Sequence, residues 1–129
     1  MAGDRPMVHV IDDDEAVRTS LAYLLTLHDF EVATYESGAA FLRAAAAGLS
    51  GCVLTDARMP GMNGVELLKQ LSEMNFSLPI VVMTGYNDGK ITKAMTGFGP
   101  VALLEKPFDH DLLIATLRSA LANPGQPSR

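Results

Sequence analysis

The chain has 129 residues, of which 48% are hydrophobic and 19% are charged, and its formal net charge is −5. This length suits one domain with a buried core, and the acidic balance argues against direct nucleic-acid binding. No apolar stretch reaches the roughly 18 residues of a membrane helix, and residues 1–6 lack the apolar core of a signal peptide. The composition therefore predicts a soluble, cytoplasmic protein without a membrane partner. The lone Cys52 lies in an apolar run, which favours a small buried hydrophobe over a redox role.

Four short apolar runs, each bounded by polar or turn residues, occur along the chain. Unbroken runs of this length are typical of strands that are buried on both faces of a parallel sheet. A fifth stretch, Glu31–Tyr35, is more polar and predicts a short strand at the edge of the sheet. The four apolar runs are residues 8–11, 52–54, 80–83 and 101–104.

Segments with helical periodicity separate the predicted strands. The first begins at the acidic residues 14–15, which suit a helix N-terminus, and the second has Ser37 as its cap. Residues 61–64 predict a loop before the third helix. The fourth, around residues 88–98, contains glycines and threonines, so we expect it to be the weakest helix. The fifth starts near Asp109, with an apolar face predicted to be buried: Leu112, Leu113, Leu117 and Leu121.

Five strands that alternate with five helices predict an α/β fold. Right-handed crossovers between parallel strands place helices on both faces of the sheet, and the usual five-strand solution has the order 2-1-3-4-5. We therefore expect a doubly wound, flavodoxin-like sandwich. Residues 1–123 would form this domain, and residues 124–129, which include Pro124 and Gly125, predict a tail or the start of a linker.

Four polar side chains follow the apolar runs: Asp13, Asp56, Thr84 and Lys106. The carboxyl ends of parallel strands share one edge of the sheet, where ligands of open α/β sheets bind, so we expect these side chains to converge. Asp12 would join them. Three carboxylates this close resist joint ionisation unless a cation intervenes, and an all-oxygen set favours Mg²⁺ over Zn²⁺. Taken alone, residues 12–15 would also fit a solvated helix start.

Asp56 suits a nucleophile, because a carboxylate at the end of a central strand can accept a phosphoryl group and form an acyl phosphate. Phosphoryl transfer depends mainly on positioning and on charge neutralisation. Lys106 would supply a positive charge and Thr84 a hydroxyl donor. Taken singly, the two would also fit a surface lysine and a strand-end hydroxyl bonded to its own backbone. No Gly-rich phosphate-loop pattern occurs in the sequence, so nucleotide binding has little support.

Four motifs together carry a resemblance to a known family. They are Val10-Ile11-Asp12-Asp13-Asp14, the run Asp-Ala-Arg-Met-Pro-Gly-Met-Asn-Gly at residues 56–64, Met83-Thr84-Gly85, and Glu105-Lys106-Pro107-Phe108. Over about residues 7–121 the chain resembles the receiver domain of two-component response regulators, and its Arg-Met-Pro and Glu-Lys-Pro-Phe residues are most similar to those of FixJ-like regulators. The resemblance implies a CheY-like fold in which a partner histidine kinase phosphorylates Asp56.

The resemblance also assigns roles to the residues at the sheet edge. Asp13 and Asp56 would hold Mg²⁺ together with the backbone carbonyl of Arg58, and Asp12 would act through water. Thr84 and Lys106 would bind the phosphoryl group and report its presence. The signal would change the surface of the fourth helix, fifth strand and fifth helix. By family, it would favour a homodimer and control transcription through an output domain outside this chain.

The chain departs from the family pattern at two places. Receivers usually carry an aromatic switch residue at the position of Leu103, so the switching mechanism could be altered here. Residues 97–100 also differ from the usual sequence before the fifth strand. Together with Gly89, they predict a fourth helix that is short or mobile and that phosphorylation or a partner would order.

Other functions remain open from the sequence. A receiver would catalyse only its own phosphorylation and hydrolysis, so we do not expect an enzyme that acts on a metabolite. The alternatives are a single-domain regulator, a pseudo-receiver that only binds partners, and a phosphohydrolase with Asp56 as nucleophile. Against the last, Arg58 stands where such an enzyme would carry its second aspartate.

Overall fold

A computed structural model of the chain describes residues 5–85, 88–98 and 101–122. These residues form one sheet of five parallel strands in the order β2-β1-β3-β4-β5, with five helices between and after the strands. The predicted doubly wound α/β fold is therefore confirmed. The strands are β1 (Met7–Ile11), β2 (Glu31–Tyr35), β3 (Cys52–Asp56), β4 (Ile80–Thr84) and β5 (Val101–Glu105), and the helices are α1 (Glu15–Leu27), α2 (Gly38–Ala45), α3 (Gly64–Glu73), α4 (Gly89–Thr96) and α5 (His110–Ala122).

Two apolar cores enclose the sheet, one on each face. Val10 and Leu54 pack into the core that contains α1 and α5, whereas Ile11 and Val53 pack into the core that contains α2, α3 and α4. Both faces of β1 and β3 are thus shielded from water, which explains their unbroken apolar sequences. β2 lies at the edge of the sheet, and its five residues are exposed or only partly buried, as its polar sequence predicts.

Side-chain caps set the start of α3. The Asn63 side chain accepts a hydrogen bond from the Glu66 N–H, while the Glu66 side chain accepts one from the Asn63 N–H. This reciprocal pair is a capping box, and it satisfies two amides of the first turn. The helix therefore begins at Gly64, and the predicted loop over residues 61–64 is one residue too long.

The two last helices differ in detail from the prediction. α4 has eight residues, which is shorter than the predicted 88–98 segment. In α5, Leu113 and Leu117 are buried and Leu121 is partly buried, but Leu112 is 50% exposed. The prediction for Leu112 was wrong because the buried stripe of α5 runs through its neighbour Leu113, which turns Leu112 toward solvent.

Part of the sequence-based prediction lies outside the described residues. The predicted tail at 124–129 falls there, as do residues 99–100 of the unusual segment before β5. Among the residues that the structure describes, no helix is long and apolar enough to cross a membrane.

Candidate functional site

The carboxyl edge of the sheet brings the predicted side chains together. Asp56 ends β3, Thr84 ends the neighbouring β4, and Lys106 directly follows β5. The Lys106 ammonium donates a hydrogen bond to a carboxylate oxygen of Asp56 over 3.1 Å, and its backbone N–H donates to the Thr84 carbonyl over 2.7 Å. Lys106 is therefore an ion-pair partner of Asp56 and not simply a surface lysine. Its peptide bond to Pro107 is cis.

Three carboxylates form a cluster beside this ion pair. One oxygen from each of Asp12, Asp13 and Asp56 lies within 4.8 Å of the other two. Asp12 is buried, Asp56 is half-buried and Asp13 is exposed. Asp12 is fixed by its neighbours, because its carboxylate accepts a hydrogen bond from the Asp14 N–H over 2.9 Å and its carbonyl accepts one from Arg18 over 2.8 Å.

The electrostatics of the cluster favour a cation. Burial, above all, raises the pKa of Asp12, and the negative charges of Asp56 and Asp13 raise it further, while the Asp14 N–H and the Lys106 charge oppose the rise. The ionised form of Asp12 is thus less favourable than that of an aspartate in water. Three carboxylate oxygens at this spacing match the ligands that hard divalent cations take, and the cluster contains neither histidine nor cysteine.

Thr84 is buried at the end of β4. In β4 the residue opposite Asp56 is Met83, so Thr84 lies one position further toward the edge of the sheet. None of the hydrogen bonds between described residues involves its hydroxyl, which removes the alternative of a hydroxyl bonded to its own backbone. Its donor is available to a group at this edge.

Sequence reasoning missed a second ion pair at the same edge, between Arg58 and Asp88. The Arg58 Nε donates to one carboxylate oxygen of Asp88, and the Gly85 N–H donates to the other over 2.6 Å. Burial alone would raise the pKa of Asp88, but the Gly85 N–H and the Arg58 guanidinium outweigh it, with help from Lys106, and the pKa is lowered. The only sequence signal was an aspartate at a helix start, which usually indicates a cap.

Comparison with known proteins identifies the family. Residues 8–118 match the family described as response regulator receiver domain. The chain belongs to this family. Among curated proteins, this receiver is 43% identical over 122 residues to the transcriptional regulatory protein FixJ of Azorhizobium caulinodans, covering 95% of the chain and 58% of that protein. It is 40% identical over 115 residues to the C4-dicarboxylate transport transcriptional regulatory protein DctD of Pseudomonas aeruginosa, covering 88% of the chain and 25% of that protein.

Solved structures agree with this assignment. The crystal structure of FixJ-N superposes on the receiver with a TM-score of 0.86 at 38% identity, covering 93% of this chain and 96% of that one. Full-length FixJ from B. japonicum gives a TM-score of 0.84 at 43% identity, covering 91% of this chain and 58% of that one. The receiver thus spans little more than half the length of the FixJ proteins that it matches.

The departure at Leu103 has a structural counterpart. Leu103 is paired with Val82 in the register of β4 and β5, and Val82 belongs to the core on the α4 side of the sheet. Leu103 nevertheless remains 46% exposed. This face of β5 is therefore only partly covered at the position where the resemblance implies an aromatic side chain.

Proposed function

We propose that Asp56 accepts a phosphoryl group from a sensor histidine kinase and that the acyl phosphate is the signalling state of this receiver. A carboxylate oxygen of Asp56 forms the new P–O bond while the P–N bond to the kinase histidine breaks, and the electron pair stays with the imidazole nitrogen. The observation that carries the proposal is the Lys106–Asp56 ion pair beside the three-carboxylate cluster.

The residues around Asp56 suit this transfer. The Lys106 ammonium already donates a hydrogen bond to one carboxylate oxygen of Asp56, so it can bind an oxygen of the incoming phosphoryl group with little reorganisation. The Thr84 hydroxyl would donate to a second phosphoryl oxygen. The Asp56 side chain is mostly buried but remains 13% exposed, which leaves it accessible to a donor from the solvent side.

The carboxylate cluster fits Mg²⁺, and we propose that Asp13, Asp56 and the backbone carbonyl of Arg58 would hold it, with Asp12 acting through water. Bound there, Mg²⁺ would neutralise charge on the phosphoryl oxygens as the acyl phosphate forms. Burial of Asp12 and the like charges of its neighbours support this assignment, because each makes a cation at the cluster favourable. The donors are all oxygen atoms, as this ion requires.

Labelling with a small phosphodonor tests the assignment of the acceptor. We expect incubation with acetyl phosphate and Mg²⁺ to add one phosphoryl group to the parent protein and none to the Asp56→Asn variant. Intact-mass spectrometry measures the label. Labelling should fall when EDTA removes the cation. Equal labelling of the two proteins would move the acceptor to another residue. Sustained multiple-turnover hydrolysis of ordinary phosphomonoesters would instead favour a phosphohydrolase, which the family assignment does not support.

We further propose that phosphorylation acts through α4, β5 and α5 and favours a homodimer over that surface. Large apolar side chains are exposed at the end of α4, on β5 and on α5, at Phe98, Leu103 and Leu112 respectively. Light scattering before and after phosphorylation tests the dimer. A mass unchanged by full labelling at concentrations up to several hundred micromolar would contradict it.

The FixJ proteins are longer than this chain, which bears on the output domain that the receiver would control. The FixJ proteins are named as transcriptional regulators, and we infer that residues 1–123 are the receiver of such a regulator, with residues 124–129 leading toward an output domain. Direct nucleic-acid binding would then belong to that domain and not to this acidic chain.

A further inference from the structure

Asp88 occupies the N-cap position of α4 without capping it. Its side chain makes no hydrogen bond to the first turn of that helix. Instead, one carboxylate oxygen accepts from Arg58 and the other from the Gly85 N–H, which lies before the helix. The carboxylate is therefore fully engaged, but it is engaged away from α4.

The other helices of the described residues behave differently. Each has a side chain at its start that accepts a hydrogen bond from an amide of the first turn. The capping residues are Asp14 for α1, Ser37 for α2, Asn63 for α3 and Asp109 for α5. Aspartate is among the strongest N-cap residues, so its diversion at α4 needs a cause. Two groups hold the Asp88 carboxylate away from α4, the Arg58 guanidinium and the Gly85 N–H. The backbone of Asp88, with φ −98° and ψ 14°, also lies outside the extended region of the caps of α1, α2 and α3.

The two halves of α4 are held unequally. Met95, in the C-terminal half, is fully buried and packs so closely on Gly64 that a Cβ on that glycine would lie 2.6 Å from its terminal methyl. At the other end, Gly89 and Lys90 are exposed. There Asp88 ties the helix start to the loops after β3 and β4. What Asp88 binds therefore determines how the first turn of α4 is held.

Arg58 stands two residues after Asp56 and can change partner. Its side chain is 60% exposed, whereas that of Asp88 is 7% exposed, so the guanidinium can swing without disturbing the core. A phosphoryl group carries up to two negative charges and three acceptor oxygens, and guanidinium groups bind phosphate in a bidentate manner.

We propose that Asp88 exchanges partners on phosphorylation: Arg58 turns to the phosphoryl group on Asp56, and the released Asp88 carboxylate caps the N-terminus of α4. This inference rests on the proposed phosphorylation of Asp56. It makes Asp88 a positioning residue, which acts through Arg58 and sets the order of the first turn of α4. Phosphorylation would thus tighten this helix at the surface that signals.

Hydrogen exchange of peptides that cover α4, followed by mass spectrometry, tests the exchange. In the parent protein, acetyl phosphate and Mg²⁺ should slow the hydrogen exchange of the first-turn amides of α4 about three- to tenfold, which is the gain expected of one helix cap. Arg58→Ala should show this higher protection without any phosphodonor, because Asp88 is released. Asp88→Ala should be phosphorylated, as judged by intact mass, yet show no rise.

Two controls make the outcomes decisive. Asp109→Ala removes the cap of α5 and should lower protection there equally with and without phosphodonor, while α4 still responds. Arg58→Met repeats the Arg58→Ala measurement with a longer side chain that has no N–H donor, should the alanine variant prove unstable. A full rise in α4 protection in phosphorylated Asp88→Ala would overturn the inference, and so would Arg58→Ala at the protection of the unlabelled parent. Absence of label on the parent would instead refute the proposed function, while the unlabelled Arg58 variants would still decide the exchange.

Discussion

Replacing a carboxylate of the candidate metal site should stabilise the metal-free protein. Asp12→Asn keeps the side-chain oxygen that accepts the Asp14 N–H and removes one negative charge from a buried position. In the absence of a cation, that charge is opposed by burial and by Asp56 and Asp13. We therefore expect the variant to have a higher free energy of unfolding than the parent in EDTA.

The size of the effect follows from the spacing of the carboxylates. Two unit charges no more than 4.8 Å apart repel by at least about 3.5 kcal/mol at an effective dielectric constant of about 20. The Lys106 charge and solvent around exposed Asp13 reduce the net effect, so we expect a gain of about 1–3 kcal/mol. For a domain of this size, that corresponds to a rise of about 4–10 °C in Tm.

The gain should depend on pH with a definite sign. The folded-state pKa of Asp12 is raised above 3.8, so the native protein binds this proton more tightly than the unfolded chain does. The stability that Asp12 contributes is fully present below its unfolded pKa and is lost as the pH rises through the folded pKa. Asparagine does not titrate. The advantage of the variant should be absent below about pH 3.8 and should grow until the pH exceeds the raised pKa.

Urea unfolding in EDTA and in excess Mg²⁺ provides the assay. Mg²⁺ at ten times its Kd should stabilise the parent by about 1.4 kcal/mol and the variant by less, because the variant has lost a group that favours the cation. Asp29→Asn is the matched control: it removes a carboxylate at an exposed position whose φ of 69° asparagine tolerates. The reasoning fails if Asp12→Asn is no more stable than the parent at neutral pH in EDTA.

Four further substitutions and one thiol reagent probe the scaffold. Gly51→Ala should lower the free energy of unfolding, measured in urea, by at least about 2 kcal/mol. The reason is that φ of Gly51 is 100° and a Cβ would overlap the Met7 carbonyl. Gly48→Ala has a φ of 90° but open space around the Cβ, so it should lower the free energy of unfolding by only about 1 kcal/mol. Asn63→Ala should lose about 1–2 kcal/mol with the capping box of α3, and Asn63→Asp, which can still cap, should retain most of it. The Cys52 thiol, whose pKa burial raises to about 12, should react with a disulfide reagent only as fast as the protein unfolds; rapid reaction of the native protein would show that the site is open to solvent.

The fold could be predicted because the sheet is parallel and buried on both faces. Such strands require unbroken apolar runs, and the polar residues that follow them must lie at one edge. That rule alone brings Lys106 to Asp56 across three strands. The polar stretch Glu31–Tyr35 was equally informative, since only an edge strand tolerates so little burial.

The missed features have physical reasons as well. The pairing of Arg58 with Asp88 joins two loops, and neither strand alternation nor helical period constrains where loop side chains point. Leu112 and Leu113 are identical neighbours, so the sequence could not say which of them faces the core. The start of α3 is different, because the spacing of Asn63 and Glu66 is that of a capping box, which by itself indicates a helix that begins at Gly64.

The loop after Asp56 joins this residue to α4. Its first residue, Ala57, donates its N–H to the Met83 carbonyl, which joins the loop to β4, and Arg58 binds Asp88 at the start of α4. At the end of the loop, Gly64 receives Met95 from the other half of that helix. In the proposed exchange, a change of charge at Asp56 would reach both ends of α4 through this short segment. Leu103, half-exposed on β5, takes no part in these contacts, so coupling through the loop does not require an aromatic side chain at that position.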